Sequence, residues 1–425
     1  MPERTHQLLP PQGAEYAPKP VTVVGGSVRG SALRAIAAEG GLERVRIVAW
    51  RDLEDPEAGG SELHAHRIAS LWAASGIRVE LRTSSVPGGA RAVERDGYRV
   101  LRRGGRYGVF ARAGAEGLVF GRRQGEGLVE IWNGMPFWSP LWFGGPRVVF
   151  LHHVHAEMWR MVLPRWMARL GEATERRLAP PIYRSTRVVT LSESSRGEIV
   201  GMLGLDPARV SVVPPGVDPR FTPGGPGARS PVPLVVAVGR LVPVKRFDLL
   251  VDALVRVRAA VPELRAVIAG EGYDRPRLEA LRRAHGAASW LSMPGHVGDD
   301  ELVDLYRRAW TVASVSRREG WGMTLTEAGA CGTPSVASDI AGHRDAVVDG
   351  RTGLLAGDGA DGVAAAIRRM LGDAALRARL GAGALAHAQR FTWEAAASST
   401  LQALAEEACW LAGDYPVPVG AGVVA

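Results

Sequence analysis

The sequence predicts an α/β protein made of two Rossmann-like parallel-sheet domains facing a cleft. Three observations predict it. Apolar, β-rich runs alternate with helical patterns along the chain. A Pro- and Gly-rich stretch, 214–233, interrupts that alternation and separates two such series. The length, 425 residues, exceeds one ordinary core and suits two domains. Parallel sheets bind ligands outside the carboxyl ends of their strands, so two such faces across a hinge form a cleft.

In chain order, residues 1–20 are polar and Pro-rich and read as a disordered tail without the apolar core of a secretory signal. Residues 21–215 form the first domain, with strands over 45–50, 78–83, 128–132, 147–152 and 187–191. Helical period covers 61–75, with Leu63, Ile68, Leu71 and Trp72 on one face and Gly76 as the stop. The segment Val23 to Gly30 lacks the glycine spacing of a dinucleotide loop and reads as a surface extension. After a linker at 216–233, the second domain (234–390) has strands near 234–239, 265–269, 290–293, 310–314, 334–337 and 353–355. Helices fall between them at 246–260, 275–285 and 299–309. The Ala-rich stretch 361–412 is helical, and 391–425 stands apart as a C-terminal helix and tail.

Hydrophobic residues are 46% of the chain, enough for cores of ordinary size. The formal net charge is +8, carried almost wholly by arginine. With no zinc-finger spacing and no aromatic RNA-binding signature, nucleic acid is not expected as a partner. Cys331 and Cys409 are isolated thiols without metal-ligand spacing, which fits a reducing compartment. No apolar run approaches the ~18 residues of a membrane span. The expectation is a cytoplasmic protein, in contact at most with the inner surface of a membrane.

Only two lysines stand against fifty arginines, and one of them, Lys245, follows the first strand of the second domain. A compact ammonium on a flexible stem suits close approach to phosphate oxygens, where a broad guanidinium does not always fit. Arg240 lies five positions earlier. Downstream, Glu319-Gly320-Trp321-Gly322 leads from a strand into a helical pattern starting near Met323, with Glu327 in its first turns. A helix N-terminus presents unpaired N–H groups and a positive dipole end to an anion. Glycines at 320 and 322 would allow close backbone approach to a ligand. Glu327 can reach a sugar beside the phosphate, and Glu319 can face the reacting centre.

The ordered set Gly239-Arg240-x4-Lys245, Glu319-Gly320-Trp321-Gly322-x4-Glu327-Ala328, Gly332-Thr333-Pro334 and Gly350-Arg351-Thr352-Gly353 resembles glycosyltransferase family 4 over the whole second domain. That family comprises retaining enzymes of GT-B fold that use nucleotide sugars. The resemblance implies that Arg240 and Lys245 bind the donor diphosphate, Glu327 the ribose, and Glu319 the donor sugar near its anomeric carbon. It also implies that backbone at Gly320, Trp321, Gly322, Leu325 and Thr326 completes the pocket, with Val297 beside the nucleobase. Met323 and Thr324 depart from residues common in the family, which leaves the sugar open.

In the first domain, Gly59-Gly60-Ser61 opens a helix and is either a simple capped turn or a loop facing phosphate or acceptor; the resemblance places it at the cleft. His152, His153 and His155 end a strand without a remote ligand partner, so no metal is expected there. The resemblance implies one histidine near the donor sugar, His153 or His155, with His155 the favoured register. Asn133-Gly134 reads as a turn at the cleft rim. Trp132, Phe137, Trp138, Trp142, Phe143, Trp159 and Trp166 lie among Arg160, Arg165 and Arg169. Such a stretch either packs on its own domain or meets a membrane or an amphipathic acceptor.

The expected activity is retaining transfer from a nucleoside diphosphate sugar to a small-molecule or lipid-linked acceptor, without cofactor or metal. A nucleotide-sugar epimerase of the same architecture and a non-catalytic sugar-binding protein are the alternatives; glycine spacing at 25–30 disfavours a nicotinamide oxidoreductase.

Overall fold

The computed structural model describes residues 26–413; the tail expected at 1–20 and the residues after 413 lie outside this range. The first domain carries an eight-stranded sheet in the order β3-β4-β2-β1-β5-β6-β7-β8. Its strands are β1 Arg44–Val48, β2 Arg78–Thr83, β3 Ala92–Arg95, β4 Tyr98–Arg102, β5 Glu126–Trp132, β6 Arg147–Leu151, β7 Arg187–Thr190 and β8 Val210–Val212. All neighbours pair in parallel except β3 with β4. The second domain carries a wholly parallel six-stranded sheet, β11-β10-β9-β12-β13-β14. These strands are β9 Leu234–Val238, β10 Arg265–Ala269, β11 Leu291–Gly295, β12 Thr311–Ser314, β13 Ser335–Ser338 and β14 Gly353–Ala356.

Central strands read as continuous apolar runs because helices cover both faces of each sheet. Every residue of β5 is buried. The antiparallel edge was not expected from the alternation of strands and helices. Asp96 and Gly97 both adopt positive φ (47° and 81°), the conformation of a two-residue turn that matches the twist of a hairpin.

From Gly26, the segment expected as a surface extension is instead a helix, Gly26–Glu39. It packs on the last described helix, Trp393–Ala412. That last helix returns to the first domain. Trp72 donates its indole N–H to the Ala397 carbonyl at 3.0 Å. Leu401 and Leu404 are fully buried, and a Cβ on Gly127 of β5 would lie 2.7 Å from Leu404. No described helix is long and apolar enough to cross a membrane.

The outgoing and returning chains touch where they cross. The Val217 N–H donates to the Phe391 carbonyl at 3.1 Å. A Cβ on Gly216 would lie 2.2 Å from the Trp393 nitrogen, an overlap with backbone that no rotamer relieves. Gly216→Ala is therefore expected to destabilise the protein by about 1–3 kcal/mol, read as a lowered urea midpoint. An unchanged midpoint would show that the crossing has slack.

Candidate active site in the interdomain cleft

A cavity of about 300 Å³ opens between the carboxyl ends of the two sheets. The second domain lines it with Gly239, Arg240 and Lys245 after β9, and with Glu319 to Thr324 and Glu327 after β12. The first domain supplies Gly59, Gly60, Ser61 and His64 after β1, Asn133 after β5, His152 and His153 after β6, and Leu191 after β7. The cationic pair and the later helix tip therefore lie on the same side of the second sheet.

The Lys245 ammonium donates to the Glu319 carboxylate. The Ser316 hydroxyl donates to the same carboxylate at 2.8 Å. Burial pushes the Glu319 acid up, but Lys245, His343 and Ser316 together outweigh it and hold the group below its ordinary value. It is an anion poised against a cation.

Arg240 donates to the Glu57 carbonyl at 3.0 Å. Its guanidinium passes beside Gly59, where a Cβ would approach Nε to 3.2 Å. A Cβ on Gly60 would meet the Met323 sulfur at 3.1 Å. The glycine pair thus lets the two domains touch at the mouth of the cavity.

The helix Met323–Ala330 begins at Gly322 in a left-handed conformation (φ 107°) with no side-chain cap. Met323 and Thr324, its first residues, line the cavity. Further along, the Leu325 N–H is already bonded to the Gly322 carbonyl at 2.9 Å. Leu325 and Thr326 line a separate small cavity behind this helix rather than the cleft. Thr326 instead braces the turn, its hydroxyl donating to the Met323 carbonyl at 3.0 Å and facing the Trp321 indole N–H at 3.4 Å. Trp321 is buried edge-on against Phe391, with centroids 5.0 Å apart. Val297 is buried after β11, outside the cavity lining.

Gly320 does more than leave room for a ligand. A Cβ there would lie 2.4 Å from the His152 carbonyl of the first domain, and the Ser192 hydroxyl donates to the Gly320 carbonyl at 3.1 Å. Gly342 (φ +83°) backs the same loop, with a Cβ 2.5 Å from the Glu319 carbonyl. Glu327 receives the Tyr306 hydroxyl at 3.0 Å, and burial pushes its acid up to about 7.

Of the two candidate histidines, His153 lines the cavity and His155, the favoured register, does not. The Glu175 carboxylate accepts the His155 N–H at 2.7 Å and the Ala156 N–H at 3.0 Å. With Ala156 at φ 46°, the chain leaves strand alternation, and the His155 ring stacks behind His153, centroids 4.9 Å apart. Burial lowers His153 well below its ordinary value and His155 to about 4. Among the described residues no group of three or more His, Cys, Asp or Glu could hold a metal ion.

Among the lining and bracing residues missed from the sequence, His64, His152 and Arg318 stand out. His64 lies three positions after Ser61, one helical turn on, a spacing that could have placed it on the cleft face. His152 lines the cavity as well, its ring centroid 5.4 Å from that of His64. Arg318 bridges the domains, donating to the Val154 carbonyl at 3.2 Å and pairing with Glu157 and Glu198. Most of the aromatic stretch packs inward: Trp132, Phe137, Trp142, Phe143 and Trp159 are buried, while Trp166 is 69% exposed.

The model for Glycosyltransferase Family 4 matches residues 58–221, and that for Glycosyl transferases group 1 matches 223–387. The chain belongs to glycosyltransferase family 4. Among similar curated proteins, the D-inositol 3-phosphate glycosyltransferase of Stackebrandtia nassauensis is 40% identical over 240 residues, 52% of this chain and 54% of its own length. That of Kribbella flavida is 37% identical over 240 residues, 52% of this chain and 57% of its own length. The matches thus span about half the length of these relatives. Among solved structures, sucrose-phosphate synthase from Thermosynechococcus elongatus superposes with a TM-score of 0.72 at 20% identity, over 84% of this chain and 97% of its own. Anabaena HepE, solved with UDP and glucose, gives 0.66 at 17% identity, over 84% of this chain and 98% of its own. These likenesses establish the GT-B fold for this family 4 protein.

Glu327 carries a pH signature. Its acid ionises near its ordinary value in the unfolded chain and near 7 in the folded one. The folded state therefore holds the proton more tightly, and this group lowers stability as pH rises through that window. Glu327→Gln should raise the melting temperature relative to the parent by more at about pH 8 than at about pH 5. A difference that does not grow with pH contradicts the burial of this carboxylate.

Proposed function

We propose that this protein is a retaining glycosyltransferase that moves a sugar from a nucleoside diphosphate sugar to an acceptor hydroxyl. The observation that carries the reading is the convergence of Arg240, Lys245 and an uncapped helix N-terminus on one wall of the cavity. A diphosphate leaving group gathers negative charge as its glycosidic bond breaks, and such a wall stabilises that charge. HepE, a structural neighbour, was solved with UDP-glucose, and the curated relatives carry transferase names.

In this reading Arg240 and Lys245 hold the diphosphate, and Glu327 accepts hydrogen bonds from the ribose. As the phosphate draws Lys245 away, Glu319 is released toward the donor sugar. The neutral His153 ring flanks that sugar from the other domain. The bond from the anomeric carbon to the phosphate oxygen breaks, and the acceptor oxygen bonds to that carbon on the same face. The acceptor proton passes to the departing phosphate oxygen, so the configuration is retained and the nucleoside diphosphate leaves. Direct contact between the domains excludes water, which favours transfer over hydrolysis. The two cations and the helix dipole take the place that a metal holds in other diphosphate sites, and activity is proposed to need none.

Peripheral membrane contact, where it occurs, is proposed for the outer face of the helix Arg165–Ala173. Trp166 and Leu170 are 69% and 56% exposed there, and Leu178, in the segment Thr174–Leu178 that continues the helix, is 54% exposed. Arg165, Arg169, Arg176 and Arg177 are exposed among them, a pattern complementary to anionic headgroups.

Lys245→Met should cut kcat/KM for the donor about a hundredfold or more while the fold is kept. Turnover should survive EDTA. A Lys245→Met enzyme with parental turnover contradicts the site, and loss with EDTA restored by a divalent ion contradicts the metal-free reading. The membrane face is tested by co-sedimentation. Binding to phosphatidylglycerol vesicles, but not to phosphatidylcholine ones, should disappear in Trp166→Ser/Leu170→Ser; equal binding to both lipids contradicts it.

A further inference from the structure

The backbone on both sides of Glu319 is held by one helix of the other domain. The helix Glu193–Leu203 follows β7 in the first domain. Its Glu198 carboxylate accepts from Arg318, the residue before Glu319, at 2.5 Å. Gly320, the residue after, turns its carbonyl to the Ser192 and Ser195 hydroxyls at 3.1 and 3.4 Å. Those two serines are each 1% exposed, so their hydroxyls depend on protein partners. Behind the loop lies the short helix His343–Ala346, entered through Gly342. The Gly342 N–H donates to the Ser194 hydroxyl at 2.8 Å, and that hydroxyl donates to Asp345. Asp345 also accepts the Glu193 N–H at 3.0 Å. A carboxylate of the second domain thus caps a first-domain helix, at the favourable end of its dipole.

We propose that the N-terminal half of the helix Glu193–Leu203 is the positioning element for Glu319, which it sets through Arg318, Gly320 and Gly342 only while the domains are closed. The inference rests on the transferase reading above and adds how closure reaches the donor sugar. The Glu319 carboxylate pairs within its own domain, with Lys245 and Ser316. A donor diphosphate that draws Lys245 away removes the charged one of these anchors. What then fixes the loop is the grip on residues 318, 320 and 342. With the domains apart, all three positions lose this helix together. Arg240, Lys245 and the tip of the 323–330 helix all stay on the second domain. Donor can therefore bind first, and the carboxylate is set only after closure has excluded water.

The test uses the full chain and whichever of UDP-glucose, UDP-N-acetylglucosamine and GDP-mannose raises its melting temperature most. Turnover is read as nucleotide released by hydrolysis without acceptor. Ser194→Ala and Asp345→Ala should each lower kcat about tenfold, with the dissociation constant of the nucleoside diphosphate within about twofold of the parent. Glu198→Gln weakens the Arg318 grip by another route and should move kcat the same way. Each variant is then combined with Glu319→Gln, whose residual rate is read in single turnover. There the carboxylate to be set is gone, so the losses should shrink to about twofold or less. A helix that merely holds the domains together would cost the full factor in both backgrounds, and that result overturns the proposal. Parental kcat in Ser194→Ala and Asp345→Ala overturns it too, as does a loss that falls on nucleotide affinity. Urea midpoints check the fold; should Asp345→Ala not fold, Ser194→Ala, which removes one hydroxyl, carries the comparison. A parent that neither shifts with nor hydrolyses any of the three donors sinks the transferase reading itself, and this proposal with it.

Discussion

The ion pair between Lys245 and Glu319 organises the site. It ties the turn after β9 to the loop after β12 across the floor of the cavity. Without the ammonium, burial alone would favour the neutral acid. The loop that carries Glu319 rests on the fully buried His343, whose ring nitrogens lie 3.2 Å from the Ser314 hydroxyl and 3.1 Å from the Ser338 hydroxyl. Gly322 lies over that ring, with a Cβ position 3.0 Å from it. The carboxylate, the turn and the helix tip thus share one rigid support, which is what charge stabilisation without reorganisation requires.

The second constraint is the seam between domains. Gly320 stands where a side chain would collide with backbone of the opposite domain, and Gly59 and Gly60 stand where one would press on the Arg240 and Met323 side chains. Arg318 and Asp345 fasten the same seam with polar contacts. Arg318 reaches Glu157 and Glu198; Asp345 accepts the Glu193 N–H at 3.0 Å. Glycine at these positions serves contact between domains as much as room for a ligand. Ion pairing and backbone sterics therefore meet in a few residues at this seam.

Much of this was legible in the sequence because it is local. Apolar runs such as 234–238 and 148–151 announce buried parallel strands, and Lys245, which composition singled out, lines the cavity. What escaped was set by tertiary contacts or by small shifts of register. The Asp96-Gly97 turn carried a hairpin signal that the strand-helix alternation obscured. The choice between His153 and His155 depended on Glu175, twenty residues beyond His155, capturing two backbone N–H groups. Leu325 and Thr326 face away from the cleft because the first turn of their helix closes onto Gly322. The return of the 393–412 helix to the first domain leaves no mark in its own alanine-rich pattern, since either domain could have buried such a face.

The account turns on one diphosphate meeting Arg240, Lys245 and the tip of the 323–330 helix together. The most direct measurement is calorimetric titration with a nucleoside diphosphate and its monophosphate, on the parent and on Arg240→Met. The account predicts that the diphosphate binds about tenfold or more tightly than the monophosphate, and that the variant erases most of this gap. Equal affinities for the two nucleotides, or a gap untouched by the loss of Arg240, would contradict it.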